Sequence, residues 1–339
     1  MSKLWNVAVV GATGAVGTQV MECLEERDFP VGKIKLLASS RSAGEALEFK
    51  RKPVLVEELG HDSFAGIDIA FFCAGSGQSK EFSLSAVRSG AVCIDCSNAW
   101  RVDPDVPLVV PEVNPHAIAG YTRKGVVANP NCATIQLVVA LKPLHDYAVI
   151  ERVVVSTYQP VSAAGKEGVD ELQKQVVALL QGKSAECTVH PHQVAFNCLP
   201  QAGGFRDNGF TGEEMEIANE TRKVLEAEVR VTATAVCVPV FYGLSESVNI
   251  ETRRKVSVVT ARELLANAPG CELVDDPADH VYPMAVDAVG QDLVHVGRIR
   301  EDESIDNGLN LWVVADNIRK GGAINAVQIA EILIRDYLK

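Results

Sequence analysis

The sequence predicts an α/β protein of two domains, and two successive patterns carry that expectation. Through the first 130 residues, short apolar runs alternate with amphipathic stretches, as in β-α-β units wound around a parallel sheet. Beyond about residue 131 the strands lengthen and alternate in polarity, as in ERVVVSTYQ, VRVTATAVCVPVF, VNIETRRKVSVV and LNLWVVADN, the habit of antiparallel sheet. A chain of 339 residues is long enough for two such cores. The expected domains are 1–130 joined by the tail 321–339, read as an amphipathic helix folding back on the first domain, and 131–320.

The elements follow in order. NVAVV (Asn6–Val10) reads as a short buried strand, and Gly11 to Gly17 turn the chain into a helix with Val20, Met21 and Leu24 at helical spacing. KIKLLAS, IDIAFFCAG and AVCIDCS read as the following strands, each ending in small or polar residues, where active sites of such sheets collect. In the second half GKEGVDELQKQVVALL and TGEEMEIANETRKVL read as helices.

Composition narrows the function. With 47% hydrophobic and 22% charged residues the chain reads as soluble and globular. Its net charge of -12 argues against nucleic acid or an anionic membrane surface as partner, while a local basic pocket still suits a small anionic substrate. No run reaches the roughly 20 apolar residues needed to span a bilayer. The start, MSKLWN, runs straight into a strand and lacks the features of a signal peptide. Nine irregularly spaced cysteines read as reduced thiols, which places the protein in the cytoplasm. Cys93 and Cys96 form a C-x-x-C with no second ligand pair, and His190 and His192 in VHPHQ pair in letters only and read as a polar loop. No metal is expected.

GATGAVG, residues 11–17, follows a strand and opens a helix. Glycines in that position permit a tight turn and let backbone N–H groups approach a pyrophosphate. The cofactor contacts expected there are Gly11, Thr13, Gly14, Ala15, Val16 and Gly17. The next strand end selects the nucleotide: an NAD enzyme usually carries an acidic residue there. This chain has Ser39, Ser40 and Arg41, which suit the 2′-phosphate of NADP.

VVANPNCATIQ places Cys132 after a proline-bearing turn and ahead of an apolar helical run. A cysteine near a helix N-terminus feels the positive end of the dipole, which favours thiolate. Thiolate attack on an acyl phosphate or an aldehyde gives a thioester or a thiohemiacetal, and hydride transfer connects the two.

GATGAVG, ASSRSAG, DCSNAWR, PDVPLVVPEVNP, ANPNCATIQ, STYQPVS, AFNCLPQ and NLWVVADNIRKGG occur in that order over nearly the whole chain. Together they resemble the aspartate-semialdehyde dehydrogenase family. The resemblance implies a Rossmann-type NADP-binding domain, an α+β catalytic and dimerisation domain, and a homodimer or homotetramer. It implies reduction of L-aspartyl 4-phosphate to aspartate 4-semialdehyde with release of phosphate, a step in lysine, threonine and methionine biosynthesis. It makes Cys132 the acyl acceptor and Gln159 a substrate-orienting residue. Arg101, with Asn98 beside it, would hold the phosphate, and Glu213 the substrate amino group. Ser162, in STYQPVS, and Asn317, in VVADN, would face the cofactor.

Three positions depart from the family pattern. Glu216 stands where the family has a phosphate-binding lysine, Cys237 where it has an arginine for the α-carboxylate, and Leu244 where it has the acid/base histidine. Leucine moves no proton, and loss of a positioned acid/base costs about 10²–10⁴ in rate. Cys237 is a conceivable second thiol but is not expected to replace the lost groups. Two alternatives to the native activity therefore arise: a related reductase with an altered substrate, and an impaired NADP-binding dimeric homologue.

Overall fold

The computed structural model describes residues 3–338; Met1, Ser2 and Lys339 lie outside the described residues. The chain divides into two compact units, Met1–Asn131 with Gly322–Lys339, and Cys132–Gly321.

The first unit begins with β1 (Trp5–Val10), α1 (Ala15–Glu26), β2 (Val31–Ala38), β3 (Ala46–Phe49), β4 (Lys52–Glu58), β5 (Ile69–Phe72), α2 (Ser76–Arg88), β6 (Val92–Asp95) and β7 (Val126–Ala128). They form a seven-stranded sheet in the order β3-β4-β2-β1-β5-β6-β7, parallel except for the β3–β4 hairpin. The strand order reverses around β1, so the carboxyl ends of β1, β2 and β5 surround the crevice where such sheets take a ligand.

Alternation decides which helix meets which face. Val7, Val9, Ile69, Phe71, Val92 and Ile94 share one core cluster with Val20 and Leu24 of α1. Burying a side chain of this kind contributes about 1.5–3 kcal/mol. Cys93, out of phase with its neighbours, donates to the Ser83 carbonyl of α2 at 3.3 Å on the opposite face.

The second unit runs α3 (Cys132–Ala148), β8 (Ile150–Gln159), α4 (Gly165–Leu180), α5 (Gly212–Leu225), β9 (Arg230–Cys237), β10 (Leu244–Thr252), α6 (Val258–Ala266), β11 (Cys271–Leu273), α7 (Ala285–Ala288), β12 (Val294–Asp302) and β13 (Gly308–Ala315). Its six-stranded sheet has the order β11-β12-β13-β10-β8-β9. Helix α3 packs across β8, β10, β12 and β13, and α5 covers β9. The opposite phase of the strands leaves Tyr158, Ser247 and Trp312 half-buried.

Two expectations need correction here. Strands β8 and β9 are parallel, because α4 and α5 lie between them in sequence and bring the chain back to the same end. The run VNIETRRKVSVV is not one strand: β10 stops at Thr252, and Ser257 caps α6 by accepting the Thr260 N–H at 3.1 Å.

The tail is helical and packs into the first unit. Helix α8 (Asn325–Ile332), flanked by π-type turns, is buried nearly all round, and Ala326, Val327, Ile329, Ala330 and Leu333 belong to the first unit's core.

Candidate active site

The cofactor side is built at the carboxyl end of β1. Gly11 has φ +81°, and a Cβ on it would lie 2.7 Å from the Cys73 carbonyl oxygen. A Cβ on Gly17 would lie 2.2 Å from the Gly11 carbonyl oxygen, so only glycine lets α1 start this close to the turn. Gly14, as N-cap, supplies no side-chain cap, and no acidic residue sits in the first turn. Thr13, Gly14 and Ala15 are exposed and Val16 is half-buried. A helix start of this kind accommodates a pyrophosphate.

Ser39, Ser40 and Arg41 lie just beyond β2 in an exposed turn closed by the Ser42 N–H on the Ser39 carbonyl at 3.0 Å. The Thr13 hydroxyl meets the Ser42 hydroxyl at 3.4 Å, which draws this turn to the glycine loop. The residues present therefore fit a dinucleotide with a charged group on its adenosine ribose.

Arg101 is buried, its Nε donating to the Asn129 carbonyl at 3.1 Å and its Nη2 to the Cys96 carbonyl at 3.2 Å. Nearby Asp95 also accepts from the backbone and hydroxyl of Ser97. Burial pushes its carboxyl up, against the Ser97 hydrogen bonds and the Arg101 charge. Asn98 is exposed. The Asn325 amide donates to Asn129 Oδ1 at 2.7 Å and to the Val109 carbonyl at 2.9 Å, which fixes the chain ahead of Cys132.

Cys132 is the first residue of α3, a helix of 17 residues. It is half-buried and stands at the positive end of the helix dipole. A Cβ on Gly321 would lie 2.5 Å from Cys132 Cβ, so the glycine makes the room for the cysteine. The Gly321 segment is held by its N–H on the Asp316 carbonyl at 2.9 Å and by Asp316 Oδ1, which accepts from Ile318 and Arg319 at 2.8 Å each.

Gln159, the last residue of β8, donates from Nε2 to Glu213 Oε1 on α5 at 3.0 Å. Thr211 and Glu214 form a reciprocal capping box that positions this helix start. Gln159, Glu213 and Cys237 line one cavity of about 520 Å³. Ser162 and Asn317 are both buried and joined to each other, with Asn317 Nδ2 donating to Ser162 Oγ at 3.1 Å and Asn317 Oδ1 accepting the Gly243 N–H at 3.1 Å. Glu216 is half-buried on α5. Leu244 is fully buried at the start of β10, opposite Ala315.

Residue patterns alone missed a further group on this cavity. His190, read as part of a polar loop, meets Cys237 Sγ at 3.6 Å through Nε2 and Glu171 Oε2 at 2.5 Å through Nδ1. Glu171 is 19 positions away, on α4, and no short motif links the two. Gly321 was visible as a glycine, but nothing in the letters tied it to Cys132.

An α/β unit with a glycine-rich strand-to-helix turn, in one chain with an α+β unit that carries a cysteine at a helix start, is the make-up of a dehydrogenase. Two family profiles match the chain: the semialdehyde dehydrogenase NAD binding domain over residues 6–121, and the semialdehyde dehydrogenase dimerisation domain over residues 141–320. The aspartate-semialdehyde dehydrogenase of Aquifex aeolicus is 52% identical across 98% of this chain and 99% of its own. That of Legionella pneumophila is 50% identical across 100% and 98%. The crystal structure of aspartate semialdehyde dehydrogenase II from Vibrio cholerae, complexed with ASA, superposes with a TM-score of 0.97 at 48% identity, covering 99% of this chain and 100% of that one. The chain belongs to the aspartate-semialdehyde dehydrogenase family.

Proposed function

We propose that the protein is an NADP-dependent aspartate-semialdehyde dehydrogenase that converts L-aspartyl 4-phosphate to aspartate 4-semialdehyde and phosphate. The observation that carries this reading is Cys132 as first residue of α3, with Gly321 shaped to admit it. Full-length relatives at about half identity favour this activity over the altered-substrate and impaired readings.

Cys132 Sγ attacks the acyl carbon, its bond to the phosphate oxygen breaks, and a thioester remains on the enzyme. Arg101 holds the phosphate with Asn98 beside it, a role suited to a planar guanidinium. Gln159 orients the acyl group, and Glu213, fixed by Gln159, takes the substrate ammonium. When bound, the nicotinamide supplies the hydride that carries the thioester to the aldehyde level. Gly11, Thr13, Gly14, Ala15, Val16 and Gly17 hold its pyrophosphate, and Ser39, Ser40 and Arg41 select NADP. Ser162 and Asn317 face the cofactor as a hydrogen-bonded pair.

The assembly proposed is a cytoplasmic homodimer or a homotetramer built from dimers. The family's dimerisation domain and the sheet face bearing Tyr158, Ser247 and Trp312 support it. No helix among the described residues is long and apolar enough to cross a membrane.

The test is phosphate-dependent reduction of NADP+ by aspartate semialdehyde. Turnover in the wild-type protein and its loss in Cys132→Ser are expected; equal rates in the two would overturn the reading.

A further inference from the structure

The cavity bounded by Gln159 and Glu213 holds a second set of reactive side chains. Cys237 closes β9 and is pinned there by mutual backbone hydrogen bonds with Leu199, at 2.8 and 2.9 Å. Its Sγ faces His190 Nε2 at 3.6 Å, and His190 Nδ1 meets Glu171 Oε2 at 2.5 Å. Glu171 is itself buried and fixed, accepting the backbone N–H groups of Thr188, Val189 and His190 at 2.5, 2.9 and 3.1 Å. A carboxylate anchored in this way makes Nδ1 the donor and leaves Nε2 to accept from the thiol. Nucleophile, base and orienting carboxylate stand in the order that activates a side-chain nucleophile.

We propose that Cys237, His190 and Glu171 form a second thiol nucleophile that accepts acyl groups from small acyl phosphates entering this cavity. Cys237 Sγ bonds to the acyl carbon while the carbon–oxygen bond to phosphate breaks. The thiol proton passes to His190 Nε2 and then to the departing phosphate, leaving a thioester on Cys237. Burial, and then the charge of Glu171, push the resting thiol up to about 11, so the proton leaves only as His190 takes it. No oxidant and no nicotinamide are needed. The chemistry is independent of Cys132, and its failure would leave the proposed dehydrogenase activity untouched.

The experiment uses Cys132→Ala protein treated with acetyl phosphate at neutral pH, followed by digestion and mass spectrometry of each cysteine peptide. Cys187 and Cys198 are exposed and serve as internal references. Cys237 is expected to acylate at least about tenfold faster than either, despite its burial. His190→Gln is expected to lower that rate by about 10²-fold, the scale of a positioned general base, with Cys198 unchanged. Glu171→Gln gives the same readout should His190→Gln fail to fold. Acylation of Cys237 no faster than Cys187 and Cys198, or at an equal rate after removal of the base, would overturn the proposal.

Discussion

Gly321 and Cys132 are shaped to each other: a Cβ on the glycine would stand 2.5 Å from Cys132 Cβ and 3.2 Å from its Cα. Real Cβ atoms do not approach this closely, and the obstacle is the root of the cysteine rather than the end of a flexible chain. Gly321→Ala must displace the start of α3. It is expected to cost about 1–3 kcal/mol in stability by overpacking and to lower kcat about 10²-fold through misplacement of the thiol. Denaturant unfolding and steady-state kinetics on the same preparation check both.

Glu171 sets an acid limit on the second unit. Burial opposes its ionisation, but the N–H groups of Val189, Thr188 and His190 and the His190 ring outweigh it and hold the carboxyl at about 2. The folded value lies below the unfolded one, so the stabilisation is complete above the ordinary carboxylate range and is lost as pH falls towards 2. Glu171→Ala is expected to cost about 3 kcal/mol at neutral pH, because it strips a buried charge from its partners. Urea unfolding between pH 6 and 3 should show the wild-type advantage shrinking.

Glu246, on β10, behaves in the opposite sense. It is fully buried, and burial raises its carboxyl well above the ordinary range. A raised folded value means that stability is fully present below the unfolded value and falls as pH climbs past it. Glu246→Gln keeps the shape and removes the titration. The variant is expected to equal the wild type near pH 4 and exceed it at pH 8 in denaturant melts.

Arg41 stands on the turn after β2, tied to the glycine loop through Ser42 and Thr13. Arg41→Ala is expected to raise KM for NADPH about tenfold, the loss of one charge-assisted contact, and to leave KM for NADH nearly unchanged. A parallel rise for both nucleotides would remove Arg41 from 2′-phosphate selection.

The family resemblance implies a lysine, an arginine and a histidine where this chain has Glu216, Cys237 and Leu244, and that expectation makes a separate prediction. The triple variant Glu216→Lys, Cys237→Arg, Leu244→His introduces two cations and a proton carrier. It is expected to raise kcat/KM for aspartate semialdehyde by about 10²-fold or more. Unchanged rates would show that these positions do not limit turnover.

How far the letters reached differs from element to element. Helix α4 has the bounds of GKEGVDELQKQVVALL, and α5 starts at the Thr211–Glu214 capping box, because apolar spacing and caps are local signals. The β3–β4 hairpin was not foreseen: Lys50 and Arg51 make its turn at φ 48° and 60° without the Asn-Gly pair that usually marks such a turn. Alternation in β8 and β9 reports which residues share a face but carries no strand direction, hence the parallel pairing that was read as antiparallel. β-Branched letters in KVSVV imitated a strand, and the Ser257 cap decided for helix. Gly11, Gly17 and Cys132 each sit within a contiguous motif, so neighbouring letters single them out. Glu171, His190 and Cys237 come from three separate segments, and only tertiary packing brings them together.

The most direct test of Cys132 as the acyl-accepting thiol is a rapid-mixing measurement with aspartate semialdehyde and NADP+ in the absence of phosphate. The account predicts a burst of NADPH equal to the enzyme concentration, with an acyl adduct on the Cys132 peptide and no further turnover until phosphate is added. Turnover without a burst, or an adduct carried by another residue while Cys132 stays free, would contradict it.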